Sequence, residues 1–385
     1  MRLLLIADIS GSSYTKVAVE LMKRWAKKGV ELKLAAPLLS PPFRGLEAGA
    51  LHYVYEGFSV PLISGYCGGR AASCELIKAA MKADAVIYLC EPLLISLNDV
   101  FTTLVTLKEE TRIFGHFALN YYPLNSERYR EKLDACFDYI IPLTRYESEL
   151  ASQVLKECKV LSPVPHGVDL SVYRPSAWMA GDIGRRVKDM EGFKVLFLGR
   201  AAIYKDLGRW YRVLGELAAR KVPVRGVVKV TGPLGVDAPL RPEALEDANS
   251  LRGRMFYVGG WLEEAGLASL ISACDVFLTT SICECFLLSA LEAQACGLPV
   301  VLPDLPSLRE VYGDSAMYLK REGWWYDGLG LKLPLSSVED AVEKLLLLYN
   351  DEDLREEWRA KSLENAQKYT WDAAAEKLIR CLEAG

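Results

Sequence analysis

Two glutamates stand eight residues apart where the sequence pattern changes from strand to helix. Glu284 follows a short apolar run and stands in the loop that opens a predicted helix, and Glu292 lies inside that helix. A carboxylate can accept hydrogen bonds from both hydroxyls of a vicinal diol such as a ribose, and free N–H groups at a helix start suit a phosphate. The segment therefore indicates a site for a phosphorylated, hydroxyl-rich ligand, although the spacing alone is also typical of surface or helix-capping glutamates.

Two cations follow another predicted strand. Arg200 and Lys205 come after the apolar run Val195–Leu198 and before the predicted helix Leu207–Arg220. A strand-to-helix connection is a place where a phosphate can be cradled. Charge-assisted contacts there would stabilise the charge of a bound diphosphate without a metal ion. Two solvated surface cations are the alternative interpretation.

Smaller polar segments follow two further predicted strands. Thr231 and Gly232 come after the strand Val227–Val230 and are expected to border a bound nucleotide, with a plain turn as the alternative. Gly11 and Ser12 join the first predicted strand to the first helix. Hydroxyl groups in that loop could hydrogen-bond a phosphate or a sugar, or simply cap the helix.

These candidate residues depend on an alternation of short apolar strands with amphipathic helices. Residues 2–7 predict a first buried strand, Val17–Lys28 a helix that ends at Gly29, and the same pattern then recurs along the chain. Alternation of this kind predicts an α/β fold with doubly wound parallel sheets. Open parallel sheets bind ligands at the carboxyl ends of their strands, so we expect the active site there, between the two halves of the chain.

A break in the alternation predicts two domains. Residues 171–192 contain Gly181, Gly184 and a run of charges, which is typical of an interdomain linker. The predicted Rossmann-like domains are therefore 1–170 and 193–365, and 385 residues are enough for both.

The composition favours a soluble protein. The chain is 51% hydrophobic and 25% charged with a net charge of −4, which excludes a disordered chain and a strongly basic nucleic-acid binder. No apolar stretch reaches the ~18 residues of a membrane span. The apolar start lacks the pattern of a signal peptide, so we expect a cytoplasmic protein. Ten cysteines without a Cys-x-x-Cys pair, and only three histidines, make a zinc site unexpected.

Two surface features allow more than one interpretation. Lys23, Arg24, Lys27 and Lys28 lie around a tryptophan on the first predicted helix. They could give a weak peripheral contact with anionic lipid at the inner face of the membrane, or form a solvated helix face. The aromatic run Trp324–Tyr326 is expected in a loop, where it could stack on a sugar or cover core residues.

The segment Ser281–Val300 resembles the Glu-x7-Glu signature of the retaining glycosyltransferases of family four, also known as glycosyl transferases group one, which have the GT-B fold. Three other stretches resemble the same family in the same order. They are Val164–Asp169 with Tyr173–Pro175, Leu198–Arg200 with Lys205, and Tyr369–Trp371. The resemblance is strong over about residues 140–385 and looser before them.

The resemblance implies a function and a set of site residues. The implied fold has two facing Rossmann-like domains and a C-terminal helix at 366–385 that returns to the first domain. The implied reaction is hexosyl transfer, with retention, from a nucleotide diphosphate sugar to a sugar, lipid-linked or small-molecule acceptor. It would need no metal or other cofactor. Glu284 would contact the donor sugar, Glu292 the ribose, Arg200 and Lys205 the diphosphate, and His116 the region of the anomeric carbon. The remaining residues expected to line the nucleotide-sugar site are Gly199, Cys285, Phe286, Leu287, Leu288, Thr231, Gly232, Gly11 and Ser12.

One departure from the family pattern concerns the loop after Glu284. Cys285 and Leu287 replace both glycines of the usual Glu-Gly-Phe-Gly. Since glycine is the residue that adopts positive φ without cost, we expect that this loop cannot easily do so. Two other classes of function remain open, namely another enzyme on this fold, such as a nucleotide-sugar epimerase or a phosphorylase, and a non-catalytic sugar-nucleotide-binding module.

Overall fold

The computed structural model of the chain contains two compact units. It describes residues 1–9, 12–36, 52–55, 58–63, 74–119, 124, 126–200, 202–231, 247–326 and 332–385. The first unit comprises Met1–Gly167 and Trp371–Gly385, and the second comprises Val168–Thr370.

A six-stranded parallel sheet forms the centre of the first unit, in the order β2-β1-β5-β6-β7-β8. The strands are β1 (Arg2–Ala7), β2 (Glu31–Ala35), β3 (His52–Tyr55), β4 (Phe58–Pro61), β5 (Ala85–Leu89), β6 (Ile113–Gly115), β7 (Tyr139–Ile140) and β8 (Lys159–Val160), with β3 and β4 as a separate antiparallel pair. The helices are α1 (Ser13–Lys27), α2 (Cys74–Lys82), α3 (Asn98–Lys108), α4 (Glu127–Cys136) and α5 (Arg145–Val154), with a 3-10 helix at Pro92–Ser96. Alternate strand residues face the core that α2 to α5 cover.

The second unit contains another six-stranded parallel sheet, in the order β11-β10-β9-β12-β13-β14. Its strands are β9 (Phe193–Arg200), β10 (Val224–Thr231), β11 (Met255–Val258), β12 (Val276–Leu278), β13 (Val300–Pro303) and β14 (Met317–Leu319), followed by the antiparallel pair β15 (Arg321–Tyr326) and β16 (Lys332–Ser336). Its helices are α6 (Asp182–Lys188), α7 (Leu207–Ala219), α8 (Glu264–Ser272), α9 (Leu288–Ala295), α10 (Pro306–Tyr312), α11 (Val338–Asn350) and α12 (Glu352–Ala366). This is the strand order of a Rossmann fold, so the predicted α/β class with two Rossmann-like sheets is confirmed.

The last helix of the chain packs in the first unit. This helix, α13 (Trp371–Ala384), lies against α1. The buried Trp25 indole of α1 donates a hydrogen bond of 3.0 Å to the Ala375 carbonyl. Helix α1 begins earlier than its apolar spacing predicts, because the Ser12 hydroxyl accepts a 3.2 Å hydrogen bond from the Tyr14 N–H and caps the first turn.

The basic cluster of α1 is partly neutralised within the helix. The Glu20 carboxylate forms ion pairs with Arg24 at 2.6 Å and with Lys23 at 3.3 Å. Lys27 and Lys28 are the exposed members of the cluster. Lipid contact by this face stays a prediction. None of the helices in the described residues combines the length and the apolar character needed to cross a bilayer.

The segment at 171–192 is ordered within the second unit. It contains the 3-10 helix Ala177–Ala180 and helix α6, and both pack on α8. A Cβ added at Gly181 or Gly184 would overlap the Ser269 side chain of α8. The glycines that indicate a linker in the sequence therefore allow close packing of this segment on α8.

The aromatic run expected in a loop lies in a strand. Residues Trp324–Tyr326 belong to β15, which pairs with β16, while residues 327–331 lie outside the described residues. The Trp324 ring centre is 4.2 Å from the Arg321 guanidinium and 4.3 Å from the Lys332 ammonium. The loop prediction is wrong here, since aromatic side chains favour a pleated, half-exposed strand when a partner strand is available.

Candidate functional site

The second sheet has a switch point between β9 and β12. From β9 the chain continues through β10 to β11 on one side, and from β12 through β13 to β14 on the other. Loops that leave two such strands diverge, and the crevice at their carboxyl ends is where open α/β sheets bind ligands. Arg200 is the last residue of β9, and Glu284 belongs to the loop that follows β12.

Lys205 and Glu284 meet at this crevice. Their ammonium and carboxylate groups form an ion pair, and the side chains are 13% and 10% exposed. The loops that carry them are joined by a 2.8 Å hydrogen bond from the Ile282 N–H to the Tyr204 carbonyl. The structure therefore brings together a cation and a carboxylate that the sequence assigns to one site.

A left-handed residue directs the Lys205 side chain. Asp206, between the 3-10 helix Ile203–Lys205 and α7, has φ 44° and ψ 51°. Aspartate tolerates this region because its short side chain can bond locally, and here it accepts hydrogen bonds from the Arg209 N–H at 3.3 Å and the Arg209 Nε at 3.0 Å. The turn sends the lysine back over β9, where its Cε lies 3.5 Å from the position of a Cβ at Gly199.

Arg200 and Lys205 share an aromatic neighbour. The exposed Arg200 guanidinium donates a 2.8 Å hydrogen bond to the Tyr204 hydroxyl and lies 5.9 Å from the ring centre. The Lys205 ammonium lies 5.5 Å from the same ring centre. The two cations therefore contact the same side chain at the carboxyl end of β9, and Glu284 neutralises one of them.

The loop after Glu284 contains a leucine in the left-handed region. Leu287, the N-cap of α9, has φ 61° and ψ 65°, so the expectation that this loop avoids positive φ is wrong. Hydroxyl groups of α10 hold the loop. The buried Tyr312 hydroxyl lies 2.7 Å from the Leu287 carbonyl oxygen and 3.0 Å from that of Phe286, and the Ser307 hydroxyl donates a 2.7 Å hydrogen bond to the Glu284 carbonyl.

The other loop residues expected in the site lie between Glu284 and the first turn of α9. The side chains of Cys285 and Phe286 are buried, and the Phe286 ring packs against Tyr369 with 5.7 Å between ring centres. Leu288 is the first residue of α9. Because the side chains of residues 285–287 are buried, a ligand at this part of the loop would meet their main chain rather than their side chains.

Glu292 is buried on α9, about one turn after the first residue of that helix, with 4% of its surface exposed. Burial raises the pKa of the Tyr312 hydroxyl well above its usual range, and the charges of Glu284 and Glu292 contribute to this shift. Burial likewise raises the pKa of Tyr173, with Glu292 as the largest charge contribution.

His116 lies at the end of β6 in the interior of the first unit. Its Nδ1 is 2.9 Å from the Ile141 carbonyl oxygen, so Nδ1 carries the proton and Nε2 is an acceptor. No described residue donates a hydrogen bond to that Nε2. Its ring packs on His166, which in turn packs on Trp371. Burial lowers the pKa of His116 to about 4, so the imidazole is neutral at pH 7.

The two buried histidines predict that the first unit loses stability in acid. Burial lowers the pKa of His116 to about 4 and that of His166 well below its ordinary 6.5. Between the folded-state pKa of each histidine and its ordinary value of 6.5, the unfolded chain binds a proton that the folded chain does not. The free energy of unfolding therefore falls as the pH drops below 6.5. At one pKa unit per 1.36 kcal/mol, His116 alone accounts for about 3 kcal/mol by pH 4.

Melting temperatures of the wild type and the H116Q variant between pH 4 and pH 8 test this expectation. Glutamine does not titrate in this range, so the variant is expected to lose less thermal stability on acidification than the wild type. Carboxylates titrate equally in both proteins, which makes the difference between the two curves specific for the histidine. Parallel curves would show that His116 has the same proton affinity in both states.

The remaining predicted residues are placed as follows. Thr231 is the last residue of β10, beside the end of β9. The Ser12 hydroxyl caps α1 and donates a 2.8 Å hydrogen bond to the Asp8 carboxylate, which gives it a structural role. Gly11 and Gly232 lie outside the described residues.

Sequence reasoning missed Lys229, a buried cation within the apolar run of β10. Its side chain is 2% exposed, and its ammonium donates hydrogen bonds to the Gly260 carbonyl at 2.7 Å and the Val230 carbonyl at 3.1 Å. Burial lowers its pKa to about 8. Within the described residues no carboxylate pairs with it. A charged residue inside a buried-strand pattern was the available signal.

The sequence is similar to a family of known proteins and to individual enzymes. Residues 182–365 match the family described as glycosyl transferases group 1. The chain is 26% identical over 242 residues to the D-inositol 3-phosphate glycosyltransferase of Paenarthrobacter aurescens. The aligned region covers 59% of this chain and 52% of that protein. It is 25% identical over 222 residues to the phosphatidyl-myo-inositol mannosyltransferase of Mycolicibacterium smegmatis, which covers 57% and 51% of the two chains. The chain thus spans about half the length of the curated relatives it matches.

Solved structures extend the likeness of fold to the whole chain. The structure of Anabaena HepE in complex with UDP and glucose superposes with a TM-score of 0.73 over 100% of both chains, at 12% sequence identity. This likeness shows the GT-B fold that the sequence predicts.

Proposed function

We propose that the chain transfers a hexosyl group from a nucleotide diphosphate sugar to a hydroxyl acceptor, and the match of residues 182–365 to the glycosyl transferases group 1 family supports this proposal. The observation that carries the proposal is the Lys205–Glu284 ion pair beside Arg200 at the switch point of the second sheet. It supplies positive charge for a diphosphate and a carboxylate for sugar hydroxyls in one crevice.

The ion pair suits a site that exchanges partners when the donor binds. The Lys205 ammonium would leave Glu284 and bind the diphosphate together with the Arg200 guanidinium. Glu284 would then accept hydrogen bonds from the sugar in place of its ion pair with Lys205. Glu292 would hold the ribose hydroxyls. The bond between the anomeric carbon and the diphosphate oxygen breaks with its electron pair going to the diphosphate, where both cations stabilise the new charge. The acceptor oxygen bonds to the anomeric carbon with retention, and its proton passes to the departing phosphate.

Other groups complete the proposed donor site. The main chain of residues 285–288, together with Gly199, Thr231 and Gly232, would border the nucleotide sugar. His116, neutral and with an acceptor Nε2, is proposed to help orient donor and acceptor, and the loop with Gly11 and Ser12 is proposed to contact a phosphate or a sugar. We propose that these two cations take the place of a metal ion, so that the reaction needs neither a metal nor a further cofactor.

The relatives suggest which substrates to examine first. Two of them are named for inositol-containing acceptors, and HepE was solved with UDP. We propose a UDP-, GDP- or ADP-linked hexose as donor and a sugar, polyol phosphate or lipid-linked acceptor. Nucleic acid is not a proposed partner, and any membrane contact would be peripheral.

A thermal-shift screen followed by a transfer assay tests this function. A bound donor is expected to raise the melting temperature by mass action. The stabilising nucleotide sugar should then release its nucleoside diphosphate only when an acceptor is present, and at the same rate in EDTA. Turnover without acceptor would indicate an epimerase, a need for inorganic phosphate would indicate a phosphorylase, and binding without turnover across acceptors would indicate a binding module.

A further inference from the structure

The left-handed conformation of Leu287 needs an external support. A non-glycine residue in this region costs about 1–2 kcal/mol, because its Cβ crowds the neighbouring carbonyl. Nothing in the side chain of leucine can offset this cost by hydrogen bonding. The support comes from α10, where the Tyr312 hydroxyl lies between the carbonyl oxygens of Leu287 and Phe286 at 2.7 Å and 3.0 Å.

Tyr312 is itself fixed to the helix that follows the loop. Its carbonyl accepts a 2.5 Å hydrogen bond from the Ser315 hydroxyl. Gln294 of α9 donates hydrogen bonds to the Ser315 hydroxyl at 2.8 Å and to the Ser315 carbonyl at 2.9 Å. Helix α9 therefore holds the tyrosine that holds the loop leading into α9, and all of these side chains are buried.

The carbonyl directions set by Tyr312 also set the directions of two N–H groups. In a trans peptide the C=O and N–H bonds point in opposite directions. The N–H of Leu287 shares a peptide with the Phe286 carbonyl, and the N–H of Leu288 shares one with the Leu287 carbonyl. Both N–H groups therefore point away from Tyr312. Neither donates a hydrogen bond to any group in the described parts of the chain.

We propose that Tyr312 is a positioning residue, which holds the N–H groups of Leu287 and Leu288 in place for the diphosphate of a nucleoside diphosphate ligand. This inference rests on the proposed function. It explains how the chain keeps the loop geometry without the two glycines. Tyr312 would act through the main chain and would not touch the ligand.

Four variants test the proposal: Y312F, L287G, the double variant Y312F/L287G and the control Y318F. Y312F keeps the ring and removes only the hydroxyl. Y318F removes a hydroxyl that donates a 3.2 Å hydrogen bond to the Leu308 carbonyl of the same helix and not to a carbonyl of the Glu284 loop. Each variant is titrated calorimetrically with UDP, GDP and ADP and, separately, with the corresponding nucleosides. The difference between a nucleoside diphosphate and its nucleoside separates binding of the diphosphate from binding of the base and ribose.

Y312F is expected to bind the preferred nucleoside diphosphate about five- to twentyfold more weakly, the effect of losing one hydrogen bond to buried carbonyls, with nucleoside affinity unchanged. L287G should restore most of this loss in the double variant, because glycine adopts the left-handed region without support. Y318F should bind like the wild type.

The possible outcomes distinguish failure of the positioning role of Tyr312 from failure of the proposed function. Equal diphosphate affinity in Y312F and the wild type, or a loss that L287G does not rescue, would overturn the positioning role and leave the proposed function standing. A wild type that binds none of the three diphosphates would overturn the proposed function, and the positioning role with it. A matched loss of nucleoside affinity in Y312F would show a general effect on folding and also overturn the proposal.

Discussion

Replacement of Lys205 by alanine is expected to lower kcat for sugar transfer by about 10²–10³-fold, which is typical of removing one preorganised electrostatic contact to a developing charge. Negative charge builds up on the diphosphate as the sugar leaves, and the Lys205 ammonium is held at that point by the Asp206 turn. Since the charge is greater in the transition state than in the bound donor, kcat should fall more than KM for the donor rises.

The control for this variant is K361A. Lys361 also forms an ion pair with a glutamate, Glu357 at 2.6 Å, but it lies on α12 with both side chains exposed to solvent. Exposed helix pairs of this kind contribute little to stability, so K361A should retain full activity. Steady-state kinetics of K205A and K361A with the same donor make the comparison, and similar kcat values in the two would remove Lys205 from the proposed chemistry.

A double-variant cycle with E284Q separates catalysis from structure. The Lys205–Glu284 pair is largely buried, so each single variant leaves one charge without its partner and should lower the melting temperature. The double variant should recover part of that thermal stability but none of the activity. Recovery of activity together with stability would show that the pair serves the fold alone.

Several parts of the structure follow from sequence patterns. The strand and helix on either side of Lys205 have local signals, an apolar run and helical spacing. The observed α7 agrees with its predicted bounds to one residue, and β9 extends two residues beyond the predicted strand at each end. The meeting of Lys205 with Glu284 also follows from a general rule, because carboxyl ends of neighbouring parallel strands lie at one edge of a sheet. Residue types and element order were enough for that step.

Contacts between distant segments could not be predicted in this way. The support of Leu287 comes from Tyr312, 25 residues later in the chain, and no periodicity connects the two. The packing of Gly184 against Ser269 gives the same lesson, since a glycine that breaks a pattern looks the same in a linker and in a tight contact. Lys229 had a visible signal, a cation in an apolar strand, but its partner at 2.7 Å, the Gly260 carbonyl, lies in the loop after β11.

The second large effect is expected at Glu292. The E292Q variant should bind nucleoside diphosphates about 10- to 100-fold more weakly, because it exchanges a charged acceptor for a neutral amide at the proposed ribose hydroxyls, and hydrogen bonds to charged groups contribute about 1.5–3 kcal/mol. Glutamine preserves the shape of a side chain that is 4% exposed, so the change should not open a cavity in α9. Once donor is saturating, kcat should change much less than affinity.

The ligand provides a second, independent probe of the same contact. The wild type should prefer a ribonucleoside diphosphate to its 2′-deoxy form, whereas E292Q should bind the two with nearly equal affinity, since the deoxy ligand has already lost one of the hydroxyls that the carboxylate would accept. Calorimetric titration of both proteins with both ligands gives the coupling between the carboxylate and the hydroxyl. If the preference for ribose is the same in both proteins, Glu292 does not accept a hydrogen bond from the 2′-hydroxyl. Its role then lies in the electrostatic environment it shares with Tyr173 and Tyr312.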